Sequence, residues 1–209
     1  MYNSLGDEIV DYELELDQSL NIKTSGRDDT IANYQNFPYE PTPYVVLERL
    51  SNSGYISKKD KLVDYGCGKG RVDFYLAFYN KCKMIGIEYD ERLFKKALEN
   101  KDKSNIFKAN FYNINALDYS LEENTTGAYF FNPFSVKILK DVINNIINYV
   151  NNYNITFKLY FYYISDSYIK FLDEFNNMKL IDIIDCTDLF TTYDSKEVIR
   201  IYEVNKTIY

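Results

Sequence analysis

Leu62-Val63-Asp64-Tyr65-Gly66-Cys67-Gly68-Lys69-Gly70-Arg71 is the stretch on which the fold turns. Apolar residues run into an acid, three glycines alternate with other residues, and Val72, Tyr75, Leu76 and Tyr79 then recur at helical spacing. That is the layout of a strand, a tight ligand-binding turn and a helix. Without a Cβ, Gly66, Gly68 and Gly70 let the backbone turn sharply and come within contact distance of a bound molecule. Asp64 closes the strand where a cationic group could be paired. A dinucleotide fingerprint would read Gly-x-Gly-x-x-Gly, but here the third glycine comes one place early and Arg71 holds the later position.

Downstream of this turn, strand and helix patterns alternate. Lys61–Tyr65 reads as a first strand and Met84–Glu88 as a second, followed by a helix over Asp90–Asn100 with Leu93, Phe94, Ala97 and Leu98 on one face. A third strand is expected near Ile106–Tyr112, and a fourth over Ala128–Asn132 between Gly127 and Pro133. Ser135 is expected to cap a long amphipathic helix that turns Leu139, Val142, Ile143, Ile146 and Val150 inward. Ile155–Ile164 is nearly all apolar or aromatic, as in a strand covered on both faces, and Asp166–Phe175 follows as a helix. Lys179–Cys186 and Glu197–Val204 are strands with no helix between them, which suits a long closing hairpin.

Upstream, Thr42 is expected to cap a helix that begins at Pro43 and ends by Ser53-Gly54, while residues 8–20 fit an edge strand or a short helix equally well. There is no internal repeat and no low-complexity linker, so we expect one α/β unit with a doubly wound sheet. Residues 1–55 would form an N-terminal extension with a lead-in helix, and residues 56–209 the domain proper.

The chain of 209 residues contains no histidine, which removes His-based triads, His metal sites and the commonest general base. Its three cysteines are far apart and form no Cys-x-x-Cys pair, so they read as reduced core thiols, with no disulfide framework and no metal site. No apolar run approaches the roughly 20 residues that span a bilayer, and the acidic start lacks the basic-then-apolar order of a secretion signal. A soluble cytoplasmic protein is the expectation, with no membrane partner. A net charge of -7 disfavours long nucleic acid as a partner without excluding a local basic patch. The 22 tyrosines could suggest base stacking, but AT-rich codon usage explains them more simply.

Asp-x-Gly-x-Gly-x-Gly over Asp64–Gly70 resembles the first motif of the class I S-adenosylmethionine-dependent methyltransferases. The resemblance implies a Rossmann-like three-layer αβα sandwich with a mostly parallel seven-stranded sheet and an antiparallel C-terminal strand. It implies that Asp64, Tyr65, Gly66, Cys67, Gly68 and Gly70 hold the methionine end of S-adenosyl-L-methionine. Glu88, at the end of Ile85-Gly86-Ile87-Glu88 and followed by Tyr89, sits where the family binds the ribose; a carboxylate there can accept both hydroxyls. Asn115 and Ala116 suit the adenine edge, with Asn110 as the competing candidate. Asn132-Pro133-Phe134 resembles the Asn-Pro-Pro-Tyr of nitrogen methyltransferases, in which the Asn orients the target amine and the aromatic ring stacks on a planar substrate; a plain strand-ending turn with a core Phe is the alternative. Tyr39-Glu40-Pro41-Thr42-Pro43-Tyr44 and residues 20–26 resemble segments that precede the glycine motif in a bacterial branch. There Tyr39 or Tyr44 could face the sulfonium or simply pack.

The function implied is methyl transfer to an unidentified acceptor, with an amino nitrogen as the candidate atom and Asn132, Pro133 and Phe134 as the catalytic positions. A non-catalytic S-adenosylmethionine-binding module or partner subunit, and a nicotinamide-dependent reductase, are the rivals. The acidic surface favours a small molecule or a protein as acceptor, the Asn-Pro-Phe turn leaves nucleic-acid amines open, and oligomeric state is not legible.

Overall fold

Strands β1 (Lys61–Tyr65), β2 (Lys83–Glu88) and β3 (Ala109–Asn113) run outward from the centre of a sheet, and β4 (Gly127–Phe131) returns to the other side of β1. β5 (Phe157–Tyr162), β6 (Met178–Asp185) and β7 (Val198–Val204) complete the order β3-β2-β1-β4-β5-β7-β6. Every pairing from β3 to β5 is parallel, and β7 alone runs antiparallel between β5 and β6. The seven-stranded, mostly parallel, Rossmann-like sheet expected from the sequence is therefore the one found. This computed structural model describes residues 4–30 and 38–207, with side chains from residue 12 onward.

Helices cover both faces. α1 (Ser4–Ser19), α2 (Tyr44–Asn52), α3 (Arg71–Tyr79) and α4 (Glu91–Ser104) lie on one side, where Leu20, Tyr44, Leu47, Phe74, Leu76 and Ala97 form one apolar cluster. α5 (Val136–Tyr153) and α6 (Asp166–Leu172) lie on the other, packing Leu139, Ile143, Ile146 and Tyr168 on Val63, Ile85, Ala128 and Leu159. Successive strand residues face opposite ways. Leu62 and Asp64 thus face the α1–α4 layer, and Val63 and Tyr65 face the α5–α6 layer.

Several boundaries differ from expectation for identifiable reasons. Residues 4–19 are a helix, settling the strand-or-helix ambiguity of 8–20. Thr42 is not the cap of α2. Pro43 holds that position, the Thr42 hydroxyl lies 3.0 Å from the Tyr129 hydroxyl, and the Tyr44 N–H donates to Glu13 Oε1 of α1 at 2.7 Å. The cap is supplied from 31 residues away, so local sequence could not reveal it. Ser135 does occupy the N-cap of α5, yet its hydroxyl makes no capping bond and has no partner among the described residues. β3 starts at Ala109 rather than Ile106, β5 is shorter than its apolar run, and α6 stops at Leu172.

Sheet order reverses between β1 and β4, so the loops that leave their C-terminal ends turn to opposite sides. In open parallel sheets that is where ligands bind.

Candidate cofactor and acceptor site

Three positive-φ glycines build the turn at the top of β1: Gly66 at +79°, Gly68 at +56° and Gly70 at +86°. The Gly66 and Cys67 N–H groups both donate to the carbonyl of Ile87 on β2, at 2.9 and 3.1 Å. The Gly68 N–H donates to Glu88 Oε2 at 2.8 Å, and the Asp90 N–H donates to Glu88 Oε1 at 2.8 Å. One lone pair remains on each Glu88 oxygen. Burial raises the Glu88 carboxyl above its ordinary range, while the N–H groups of Asp90 and Gly68 pull it back down.

A cavity opens beside this turn. Gly66, Glu88, Tyr89, Asn115, Ala116, Pro133 and Phe134 line it, joined by Asp28, Pro38, Tyr39, Glu40 and Ile114. Asn115 accepts the Leu117 N–H on its side-chain oxygen and keeps its amide N–H groups free of partners among the described residues. Asn110 stands at the far end of β3, where its oxygen accepts from Lys101 Nζ at 2.8 Å. Of the two asparagines, the cavity is lined by Asn115.

The other expected residues of the turn lie around the cavity rather than on its wall. Tyr65 stacks on Phe130 at 4.9 Å in the opposite layer. Cys67 is buried against β2, where a Cβ on Gly86 would come within 2.7 Å of its sulfur. Gly70 packs on Phe111 and Phe74. Asp64 is buried beneath the turn beside Asp73 of α3, and neither Asp73 oxygen has a hydrogen-bond partner among the described residues. Burial lifts the Asp64 carboxyl to about 7, with the Glu88 charge adding to the rise and contact with Asp73 opposing it. Burial, then the Asp64 charge, pushes Asp73 well up too. A pair of buried carboxyls with no cation between them holds a proton.

Asn132, at φ +42°, ends β4 in the left-handed region. Its Oδ1 is buried and has no partner among the described residues. It borders a second cavity, of about 510 Å³, together with Arg27, Pro38, Glu40, Phe131 and Tyr163. The two cavities share Pro38, Glu40 and Phe131 as walls. Phe134 is only 5% exposed and meets Phe130 edge-on, while its carbonyl accepts from the Tyr168 hydroxyl. The expectation of a ring free to stack on a planar substrate is corrected accordingly: the core claims that ring.

Sequence reasoning missed what fastens the N-terminal segment to the turn. Arg71, 2% exposed, donates to Glu13, to Thr24 Oγ1 at 2.6 Å, to the Thr42 carbonyl at 3.2 Å and to Ser25 Oγ at 3.2 Å. Its guanidinium also lies 4.2 Å from the Tyr44 ring centroid. Tyr44 therefore faces Arg71 instead of the cavity. Asp17 accepts from the Thr24 N–H, the Thr24 hydroxyl and the Tyr44 hydroxyl, each at 2.6 Å. Asn100 of α4 joins Lys23 to the Lys69 carbonyl. Held by these bonds, Tyr39 lies across Gly68, where a Cβ would come within 2.2 Å of its ring. Its hydroxyl donates to the Thr24 carbonyl at 2.5 Å, and Lys69 Nζ lies 4.7 Å over its ring. A helical reading of residues 8–20 would have put Glu13 and Asp17 on one face, the one signal available in the sequence.

A glycine turn at the switch point of a doubly wound sheet, with an acid closing the second strand, defines a nucleoside-cofactor fold. Residues 56–187 match the family model described as "Methyltransferase domain", and the chain belongs to this family of S-adenosylmethionine-dependent methyltransferases. A protein-lysine N-methyltransferase of Saccharolobus islandicus (strain REY15A) is 33% identical over 84 residues, covering 37% of this chain and 52% of the relative. The chain thus spans about half the length of that curated relative. Among solved structures, an RNA methyltransferase from Salinibacter ruber in complex with S-adenosyl-L-homocysteine superposes with a TM-score of 0.54 at 17% identity, over 81% of this chain and 97% of that one. A protein of the NADB-Rossmann superfamily from Streptococcus agalactiae gives 0.58 at 18% identity, over 82% and 72%. At these identities the solved structures speak to the fold alone.

Proposed function

We propose that the chain transfers the methyl group of S-adenosylmethionine to an amino nitrogen. One observation carries this: the Asn132 side-chain oxygen, buried and unpartnered among the described residues, in a left-handed turn that lines the second cavity. Unsatisfied buried acceptors and strained turns are both costly, and both concentrate at functional sites. An acceptor N–H donating to that oxygen would relieve the cost and aim the nitrogen lone pair away from Asn132. The protein-lysine N-methyltransferase relative supports an amine acceptor.

The residues present fit the cofactor. Glu88 has lone pairs left for two ribose hydroxyls, Asn115 and Ala116 with Ile114 offer a wall for adenine, and Gly66, which of the turn residues Asp64, Tyr65, Gly66, Cys67, Gly68 and Gly70 is the one on the cavity wall, would lie against the methionine end. When bound, S-adenosylmethionine supplies a methyl group on an already activated sulfonium. The protein then has to align the acceptor and keep water out, tasks that need no histidine. Tyr39 would present an aromatic face to the cation, and residues 1–55 would close over the cofactor. Pro133 and Phe134 would hold the Asn132 turn rigid.

Calorimetric titration with S-adenosylhomocysteine and with NADH tests the cofactor; tight binding of NADH alone would overturn the proposal. With a methylated acceptor in hand, Asn132→Ala is expected to lower kcat by about 100-fold while S-adenosylhomocysteine affinity stays within about threefold.

A further inference from the structure

The second cavity carries its own chemistry. Phe131 and Tyr163, packed edge-on with ring centroids 6.3 Å apart, form an aromatic wall beside Asn132, and Glu40 stands on the wall shared with the cofactor cavity. The hairpin between β6 and β7 adds acid. Asp194 accepts from the Tyr163 hydroxyl at 2.6 Å and Glu197 from the Tyr162 hydroxyl at 2.5 Å. The charges of Glu40 and Glu197 both reach Tyr163, whose hydroxyl is pushed up to about 12 chiefly by its bond to Asp194. Against these three acids stand Arg27, and Lys196 5.9 Å over the Tyr163 ring.

Arg27 is held twice. Nη1 lies 3.2 Å from Glu40 Oε2, while Nε donates to Asp29 at 2.8 Å. Its bond to Glu40 can therefore be given up without leaving the guanidinium unpaired.

From this we infer that the cavity takes an alkylammonium group, which displaces Arg27 from Glu40 and lies against the wall that Phe131 and Tyr163 form together. This rests on the methyl-transfer reading above and names its acceptor class. An ammonium suits the site because acid and aromatic faces both attract a cation. A nucleic acid would bring phosphates toward Glu40, Asp194 and Glu197. The ammonium loses one proton to bulk water by way of the Glu40 carboxylate. The freed lone pair forms the N–C bond as the C–S bond breaks, and its electrons stay on sulfur. A neutral thioether leaves, and the product nitrogen carries the positive charge.

The experiment uses the full chain, methyl-labelled S-adenosylmethionine, and three acceptors: Nα-acetyl-lysine, spermidine and a lysine-containing peptide, with adenosine and a short RNA as contrasts. Label is expected on one or more of the alkylamines; which of them takes it separates a free amine from a protein side chain. Glu40→Gln should raise the KM for that amine about fivefold, and Arg27→Ala, which removes the resident competitor, should lower it. S-adenosylhomocysteine affinity, read by calorimetry, should change less than either. Label on adenosine or RNA alone, or a raised KM in Arg27→Ala, would overturn the inference and leave methyl transfer standing. Failure of S-adenosylhomocysteine to bind at all would overturn both.

Discussion

Asp73→Asn should change how stability depends on pH. Asp64 and Asp73 are 3% and 0% exposed, have no partner cation among the described residues, and share the space beneath the cofactor turn. An aspartate has a pKa of about 3.9 in an unfolded chain, whereas burial lifts Asp64 to about 7 in the fold. Moving one carboxyl that far corresponds to about 4 kcal/mol. Because the folded value is the raised one, the folded state binds more protons than the unfolded state between pH 4 and 7. The pair's contribution is full below about pH 4 and is lost as pH rises through about 7. Asparagine keeps the size of Asp73, removes its charge and offers an N–H to Asp64. Urea denaturation at pH 5, 6, 7 and 8 should show the variant gaining on the parent as pH rises, by about 2 to 4 kcal/mol at pH 8 relative to pH 5. Glu88 and Glu197, also raised by burial, slope the same way in both proteins and cancel in the difference. Parallel curves, or a variant that loses ground toward pH 8, would refute a shared buried proton.

Three further outcomes follow from the same geometry. Arg71→Ala strands Asp17 and Glu13 beside a void, and should cost about 3 to 5 kcal/mol in urea denaturation; Arg71→Lys should recover only part, since an ammonium cannot meet the same partners at once. Gly68→Ala places a methyl against the Tyr39 ring at a left-handed φ, so S-adenosylhomocysteine affinity should fall by at least about tenfold. The double variant with Tyr39→Ala should regain stability relative to the sum of the single changes, a coupling that a double-mutant cycle measures directly. Glu88→Ala releases the Gly68 and Asp90 N–H groups together with the ribose partner, and calorimetry should record a loss of about 100-fold in S-adenosylhomocysteine affinity.

The sheet was legible because its signals are local. Glycines after an apolar strand, an acid at the end of the next strand, continuous apolar runs such as Ile155–Ile164 and the 3.6-residue periodicity of the helices between them each reside in a window of a dozen residues. The fastening of residues 12–44 was not legible because its partners are far apart: Arg71 meets Thr24 from 47 residues away, and Asn100 meets Lys23 from 77. Residues 8–20 resisted assignment because acids and apolar residues alternate there almost as in a strand, and the acids turn out to serve Arg71 and the start of α2. Likewise Phe134 looked like a substrate platform in sequence, and only the packing of Phe130 and Tyr168 around it reveals its place in the core. Tyr39 or Tyr44 could not be told apart until the Arg71 guanidinium was found on the Tyr44 ring.

Arg71 also bears on what counts as a self-sufficient piece of this protein. The stretch that matches the methyltransferase family begins at residue 56, yet the guanidinium just inside it finds both its carboxylates, two hydroxyls and its aromatic neighbour before that boundary. A fragment cut at residue 56 would expose the flank of α3 and leave a permanent cation at the base of the cofactor turn with nothing to neutralise it. The stretch that matches the family model is thus shorter than the set of residues that neutralises Arg71.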